Sequence, residues 1–264
     1  MIPLLSIIAL GFFLGMRHAT DSDHVVAVTT IVSRERKIGS AALIGILWGL
    51  GHTITIFIVG SLIILFGIVI PPRLGLTMEL SVGLMLILLG VLNLTGMMRW
   101  ISENFSGGSS ANRTHSHGDL SHSHAVPESA QENFSAKPSA SLSWMDRTFG
   151  KLGVYQLLRP LVVGIVHGLA GSAAVALLVL TTIRVPAWAM FYLLVFGLGT
   201  VAGMMLITAA IAVPFTLSEN RFARMNHFLA TASGVVSLIF GLLIVYEMGF
   251  VHGLFTTHPT WVPK

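Results

Sequence analysis

Six long runs of apolar residues, at 2–32, 40–70, 79–99, 158–183, 186–216 and 227–250, leave this chain few ways to fold. Each is long enough to cross a hydrocarbon core about 30 Å thick as a helix. None alternates apolar and polar residues as a membrane β-barrel strand would. The expectation is an all-α integral membrane protein with six transmembrane helices. Composition points the same way, because 54% of the 264 residues are hydrophobic and only 10% charged, far from the balance of a soluble domain. The first run has no basic leader and no small-residue cleavage site, so it is expected to remain in the mature protein. The absence of cysteine excludes disulfides and thiolate ligands, and any metal site here must use nitrogen and oxygen.

The sequence pI near 9.9 raises the question of nucleic acid, but the basic residues lie in connecting segments rather than along one helix face. Arg34, Arg36 and Lys37 separate runs one and two; Arg99, Arg113, Lys137, Arg147, Lys151 and Arg159 lie between or beside runs three and four; Arg221 and Arg224 separate runs five and six. The other side carries only Arg73, Arg184 and Lys264. The positive-inside rule then predicts both termini outside and the long middle segment in the cytoplasm, in a bacterial inner (cell) membrane.

Two halves of the chain resemble each other. GMRHATDSDHVVAV aligns with GIVHGLAGSAAVAL, placing His18 over His167; WGLGHTITIF aligns with FGLGTVAGMM, placing His52 over Thr200; GLMLILLGVL aligns with GVVSLIFGLL, placing Gly83 and Gly90 over Gly234 and Gly241. Three spans per half force the second half to insert upside down, which predicts a 3+3 inverted repeat with a binding site at the repeat interface near the midplane. The organisation expected is a first three-helix repeat with the metal motif at 1–99, a His-rich cytoplasmic linker, largely disordered, at 100–157, and a second three-helix repeat at 158–264. The end of the linker, with Trp144, Phe149 and Tyr155 among basic residues, has the composition of a headgroup-level segment.

The first run is interrupted by RHATDSDH, residues 17–24, and ionisable groups at that depth are functional by default. On a continuous helix His18, Asp21 and His24 share one arc of about 120°. Asp23 points away from that arc, so it is either a partner that fixes a histidine tautomer or a sign that the helix is broken. Counting ~1.5 Å per residue from the basic flanks puts His24, His52 and His167 at roughly the same depth, near the middle of the bilayer. Imidazoles combined with carboxylates suit borderline divalent cations such as nickel, cobalt and zinc. The metal candidates are therefore His18, Asp21, His24, His52 and Asp23, with Arg17, His167, Thr53 and Thr200 as tuning or gating residues. A structural ion pair of Arg17 with an aspartate would leave the second acid and the imidazoles unexplained. His115, His117, His122 and His124 in the linker form a candidate metal buffer, His252 and His258 are weaker candidates for outer capture, and Met16, Met204 and Met205 read as core filling.

RHATDSDH resembles the H-x-x-x-x-D-H signature of the nickel/cobalt transporter (NiCoT) family, and GLGHTITI resembles that family's second histidine motif on the next helix. The resemblance implies transport of Ni2+ or Co2+, with His18, Asp21, Asp23 and His24 carried over from the first motif and His52 from the second. Classical members have eight spans and an acidic motif in the second half. This chain, with six spans and HGLAGSAA there, resembles a shorter, divergent relative of the type found with nickel-enzyme accessory proteins. The expected function is membrane transport of a divalent transition metal by alternating access, with no prosthetic group and with lipid and the ion itself as partners. No G-x-x-x-x-G-K-[ST] stretch is present to bind a nucleotide. An intramembrane metalloenzyme and a non-transporting metal sensor or chaperone partner are the rival readings.

Overall fold

The structure, a computed structural model, describes residues 2–33, 35, 37–68, 70–97, 158–170, 183, 185–219 and 223–261. Seven α-helices carry these residues: α1 (Ile2–His18), α2 (Ser22–Val32), α3 (Ile38–Phe66), α4 (Pro72–Leu94), α5 (Leu158–Ala170), α6 (Pro186–Glu219) and α7 (Ala223–Tyr246), the last continued by a π-helical turn, Glu247–Val251. Among the described residues there is no strand. Four stretches, Ile38–Phe66, Pro72–Leu94, Pro186–Thr216 and His227–Val251, are long and apolar enough to cross a membrane. Phe13, Leu62, Leu88, Leu198, Ile239 and Phe250 project outward on five of the helices. So broad an apolar exterior identifies the chain as a membrane protein rather than one that buries its apolar groups in a single core. The linker, with His115, His117, His122, His124, Trp144, Phe149 and Tyr155, lies outside the described residues.

The first apolar run forms two helices, the broken form that the off-arc position of Asp23 leaves open. At the end of α1 the backbone tightens, with the Thr20 amide donating to Arg17 and the Asp21 amide to His18, while the Thr20 hydroxyl donates to the Arg17 carbonyl at 2.6 Å. Asp21 then adopts φ −59° and ψ 146° as the residue before α2. Thr, Asp and Ser favour helix ends because their side chains compete for backbone groups, and TDSD supplies four such residues in a row. Asp23 falls in the first turn of α2, where a carboxylate opposes the positive end of the helix dipole.

Small residues set how closely the helices approach. A methyl group added at Gly15 of α1 would strike the Phe196 carbonyl and the Thr200 amide of α6, and one added at Gly164 of α5 would strike the Trp48 carbonyl and the His52 amide of α3. Gly83 of α4 abuts Gly241 of α7, and Gly90 of α4 abuts Gly234 of α7. Backbones can come this close only where Cβ is missing. The principal packing partners are α3 with α6, α1 with α6, and α4 with α7; α5 packs along α3 through Gly164, Gly168 and a bond from Thr55 Oγ1 to the Ile165 carbonyl. The shorter α2 lies against α7, α6 and α4. Its far end is tied by a buried polar network: Asn93 Nδ2 donates to the Ala230 carbonyl (2.9 Å), Ser233 Oγ (3.2 Å) and Ser33 Oγ (3.4 Å), and Thr30 Oγ1 donates to the Ser233 carbonyl (3.2 Å).

Candidate metal centre

The break between α1 and α2 leaves Arg17 and Asp21 exposed but turns His18, Asp23 and His24 inward, where they meet two other helices. His18 ends α1 and His24 stands in the first turn of α2. His52 comes from α3, on the face that carries Trp48 one turn earlier and Thr55 one turn later. His167 comes from the last turn of α5. The rings of His18, His24 and His52 form a triangle with centroids 4.9, 5.0 and 5.1 Å apart, and His167 lies 4.2 Å from His24 on its other side. His24, His52 and His167 are 3%, 0% and 1% exposed. Four imidazoles from four helices thus gather at one buried point.

Hydrogen bonds fix which nitrogens are free. Asp21 Oδ2 lies 2.7 Å from His18 Nδ1, so that nitrogen carries the proton and His18 Nε2 keeps its lone pair. Asp23 Oδ1 accepts from His24 Nδ1 at 3.1 Å and from the His24 amide at 3.0 Å, leaving His24 Nε2 as a lone pair. Asp23 Oδ2 accepts from His167 Nε2 at 2.8 Å. His18 Nε2 and His52 Nε2 are 3.0 Å apart; His52 donates across that gap, and its Nδ1 is left bare. The result is three buried imidazole nitrogens, His24 Nε2, His52 Nδ1 and His167 Nδ1, with no hydrogen-bond partner. Each such orphan costs about 1–3 kcal/mol, and a cation would satisfy lone pairs that water cannot reach. Two sets, His18 with His24 and His52, and Asp23 with His24 and His167, each bring one ligand atom per residue within 4.8 Å of the others. Both carboxylates stand behind imidazoles, the arrangement by which an outer partner fixes the tautomer and orientation of a metal ligand.

The remaining sequence candidates fall elsewhere. Among the described residues Arg17 forms no ion pair with Asp21 or Asp23, so the cluster is not organised around an arginine. Thr53 Oγ1 donates across to the Gly197 carbonyl of α6 (3.1 Å), whereas Thr200 Oγ1 donates within α6 to the Phe196 carbonyl one turn earlier (3.0 Å). His252 pairs with Glu247 at 3.4 Å, and His252 and His258 join neither ligand set. Met204 is buried in the core. Two aromatic walls escaped the sequence reading. Trp48 stacks on His24 (5.7 Å, 17°) and meets His167 edge-on (5.6 Å), and Phe196 lies 5.6 Å from His18. Trp48 could have been found from its position four residues before His52, which puts both side chains on one helix face.

Comparison with known proteins adds one result. The chain is 36% identical over 255 residues to the urease accessory protein UreH of Bacillus sp. (strain TB-90), a match covering 96% of this chain and 96% of that protein. No protein-family profile and no solved structure matches it.

Proposed function

Because this chain belongs to the family of the urease accessory protein UreH, we propose that it carries a divalent transition-metal cation, nickel or cobalt first, across the membrane as its substrate. The observation that carries the reading is the meeting of His18, His24 and His52 from three helices around buried lone pairs. In this reading the three imidazoles hold the ion, Asp21 orients His18, and Asp23 orients His24. Imidazole-rich sites favour nickel, cobalt and zinc over magnesium or calcium. Work beside nickel-enzyme accessory proteins fits a relative whose name places it with urease.

Transport also fits the way the helices interlock. Gly15 meets Phe196 and Thr200 as Gly164 meets Trp48 and His52, and Gly83 meets Gly241 as Gly90 meets Gly234. These pairs map onto one another under the alignment of the two sequence halves, which supports a 3+3 inverted repeat of six spans with repeats at 1–99 and 158–264. Such symmetry serves alternating access about a midplane site and gives catalysis nothing obvious. Both termini would face outside and the linker, with its histidines acting as a metal buffer, would lie in the cytoplasm. A membrane potential, negative inside, would draw the ion inward with roughly 2.3 kcal/mol per elementary charge per 100 mV.

Purified protein in liposomes, offered Ni2+, Co2+, Zn2+ and Mn2+ in turn, tests the proposal. Saturable uptake of Ni2+ or Co2+ is expected, and His24→Ala should lower it by more than about tenfold, as loss of a ligand or its support does elsewhere. Uptake by His24→Ala at the unmodified rate would remove the site.

A further inference from the structure

We infer that the ion occupies two adjacent positions during transport, and that His24 belongs to both. The first is the His18, His24 and His52 position described above; the second is formed by Asp23, His24 and His167. This rests on the transport reading and assigns His167 and Asp23 a direct part in it as ligands.

The two nitrogens of the His24 ring face different groups. Nε2 is unpaired and buried beside the rings of His18 and His52. Nδ1 faces Asp23 Oδ1 at 3.1 Å, and the other oxygen of that carboxylate faces His167 Nε2 at 2.8 Å. Protons fill the second set of gaps now. A divalent ion entering there would bind the opposite neutral tautomers of His24 and His167, the proton of each ring moving from the nitrogen that faces Asp23 to the nitrogen that is now bare, His24 Nε2 and His167 Nδ1. One ring would then pass the ion from its Nε2 side to its Nδ1 side. Trp48, flat against His24 and edge-on to His167, walls the second position as it does the first.

Packing gives the step a mechanical basis. His18, His52 and His167 sit on α1, α3 and α5, which belong to the group of helices built around the α3 and α6 contact. Asp23 and His24 sit on α2, which touches α6 as well but is hydrogen-bonded to α4 and α7 through Thr30, Ser33, Asn93 and Ser233. The chain between these groups at the site is the non-helical turn Ala19–Asp21. A small tilt of one group against the other moves the His24 ring relative to the three other histidines, and so trades His18 and His52 for His167. The sequence repeat adds to this, since His18 and His167 occupy corresponding places in the two halves. A site at the interface of two inverted repeats draws residues from both halves.

Two substitutions separate a ligand from a prop. His167→Gln keeps an N–H that can donate to Asp23 but offers the metal only a weak amide, whereas His167→Glu supplies a ligating carboxylate and no donor. With Ni2+ as the only probe, equilibrium binding is followed by quenching of tryptophan fluorescence, and uptake is followed in liposomes. Expected for His167→Gln is binding at the first position within about threefold of the unmodified protein and uptake lower by at least about tenfold, with His167→Glu recovering a measurable part of the lost uptake. Unmodified uptake by His167→Gln overturns the second position and makes His167 a hydrogen-bond donor only. Loss of binding by His167→Gln equal to that of His52→Ala overturns it in favour of one undivided site. Should His167→Glu not fold, the His167→Gln pair of measurements decides alone. Absence of Ni2+ uptake by the unmodified protein would overturn the transport reading and this inference together, and is told apart from the other outcomes by that control.

Discussion

At the residue scale, the organisation of the site comes from where protons must sit. His18 and His24 present Nε2 inward because carboxylates hold their Nδ1 protons, Asp21 at 2.7 Å and Asp23 at 3.1 Å. Asp21 is half exposed, at 52%, while the His18 side chain is 17% exposed, so the carboxylate acts from the rim. Asp21→Asn should therefore leave the fold intact and weaken Ni2+ binding by about 10–100-fold, the usual penalty for losing an outer carboxylate partner. Isothermal titration of the purified protein checks this, and an unchanged affinity would show that the His18 ring needs no such support. Much of this cluster was legible in the sequence, because histidines and aspartates stand out in apolar runs where they are costly. What could not be read was who pairs with whom. Asp23 reaches His167 across 144 positions of sequence, and only the close packing at Gly164 and Gly168 brings α5 near enough for that bond to form.

At the scale of the element, α2 matters most. It is only 11 residues long, too short to cross a bilayer, and it carries His24 at one end and the Asn93 network at the other. Its separation from α1 was foreshadowed by Asp23 pointing off the shared arc, yet no proline or glycine marks the break. The signal lay in the run of helix-end residues Thr20, Asp21, Ser22 and Asp23, whose preferences outweigh the apolar period around them. Asn93 itself was missed. A lone amide in the apolar stretch GVLNLTG is the cue, since a buried polar group in a membrane needs a partner on another helix. Asn93→Ala removes bonds to Ala230, Ser233 and Ser33 and should cost about 1–3 kcal/mol, lowering the thermal midpoint in detergent by several degrees. The opposite end of α4 also differed from expectation: the helix begins at Pro72 rather than near residue 79, because proline is well suited to a first helical turn, where no N–H is needed.

Across the whole molecule, the helices exchange partners between the two sequence halves. The all-helical, membrane-embedded character was readable from run length and composition alone, and the likeness between halves from aligned motifs. The partner exchange was not readable, because an apolar run is hydrophobic on every side and does not say which face meets another helix. Glycines decide that: Gly15, Gly45 and Gly49 meet α6, Gly51 meets α5, and Gly83 and Gly90 meet α7. Two fragments, 1–130 and 131–264, produced together should accordingly copurify through an affinity tag on either one, whereas each produced alone should be cleared by proteases. Recovery of a stable single fragment would contradict that expectation.

This crossed arrangement has a consequence for biosynthesis. The ribosome delivers α1 and α3 long before α5 and α6 exist, so the early helices must wait in lipid with their tightest neighbours still unmade. His18 and His52 can arrive early, but the pocket that encloses them closes only when α5 and α6 are inserted. An incompletely made chain therefore holds its first histidines apart from the neighbours that complete the cluster.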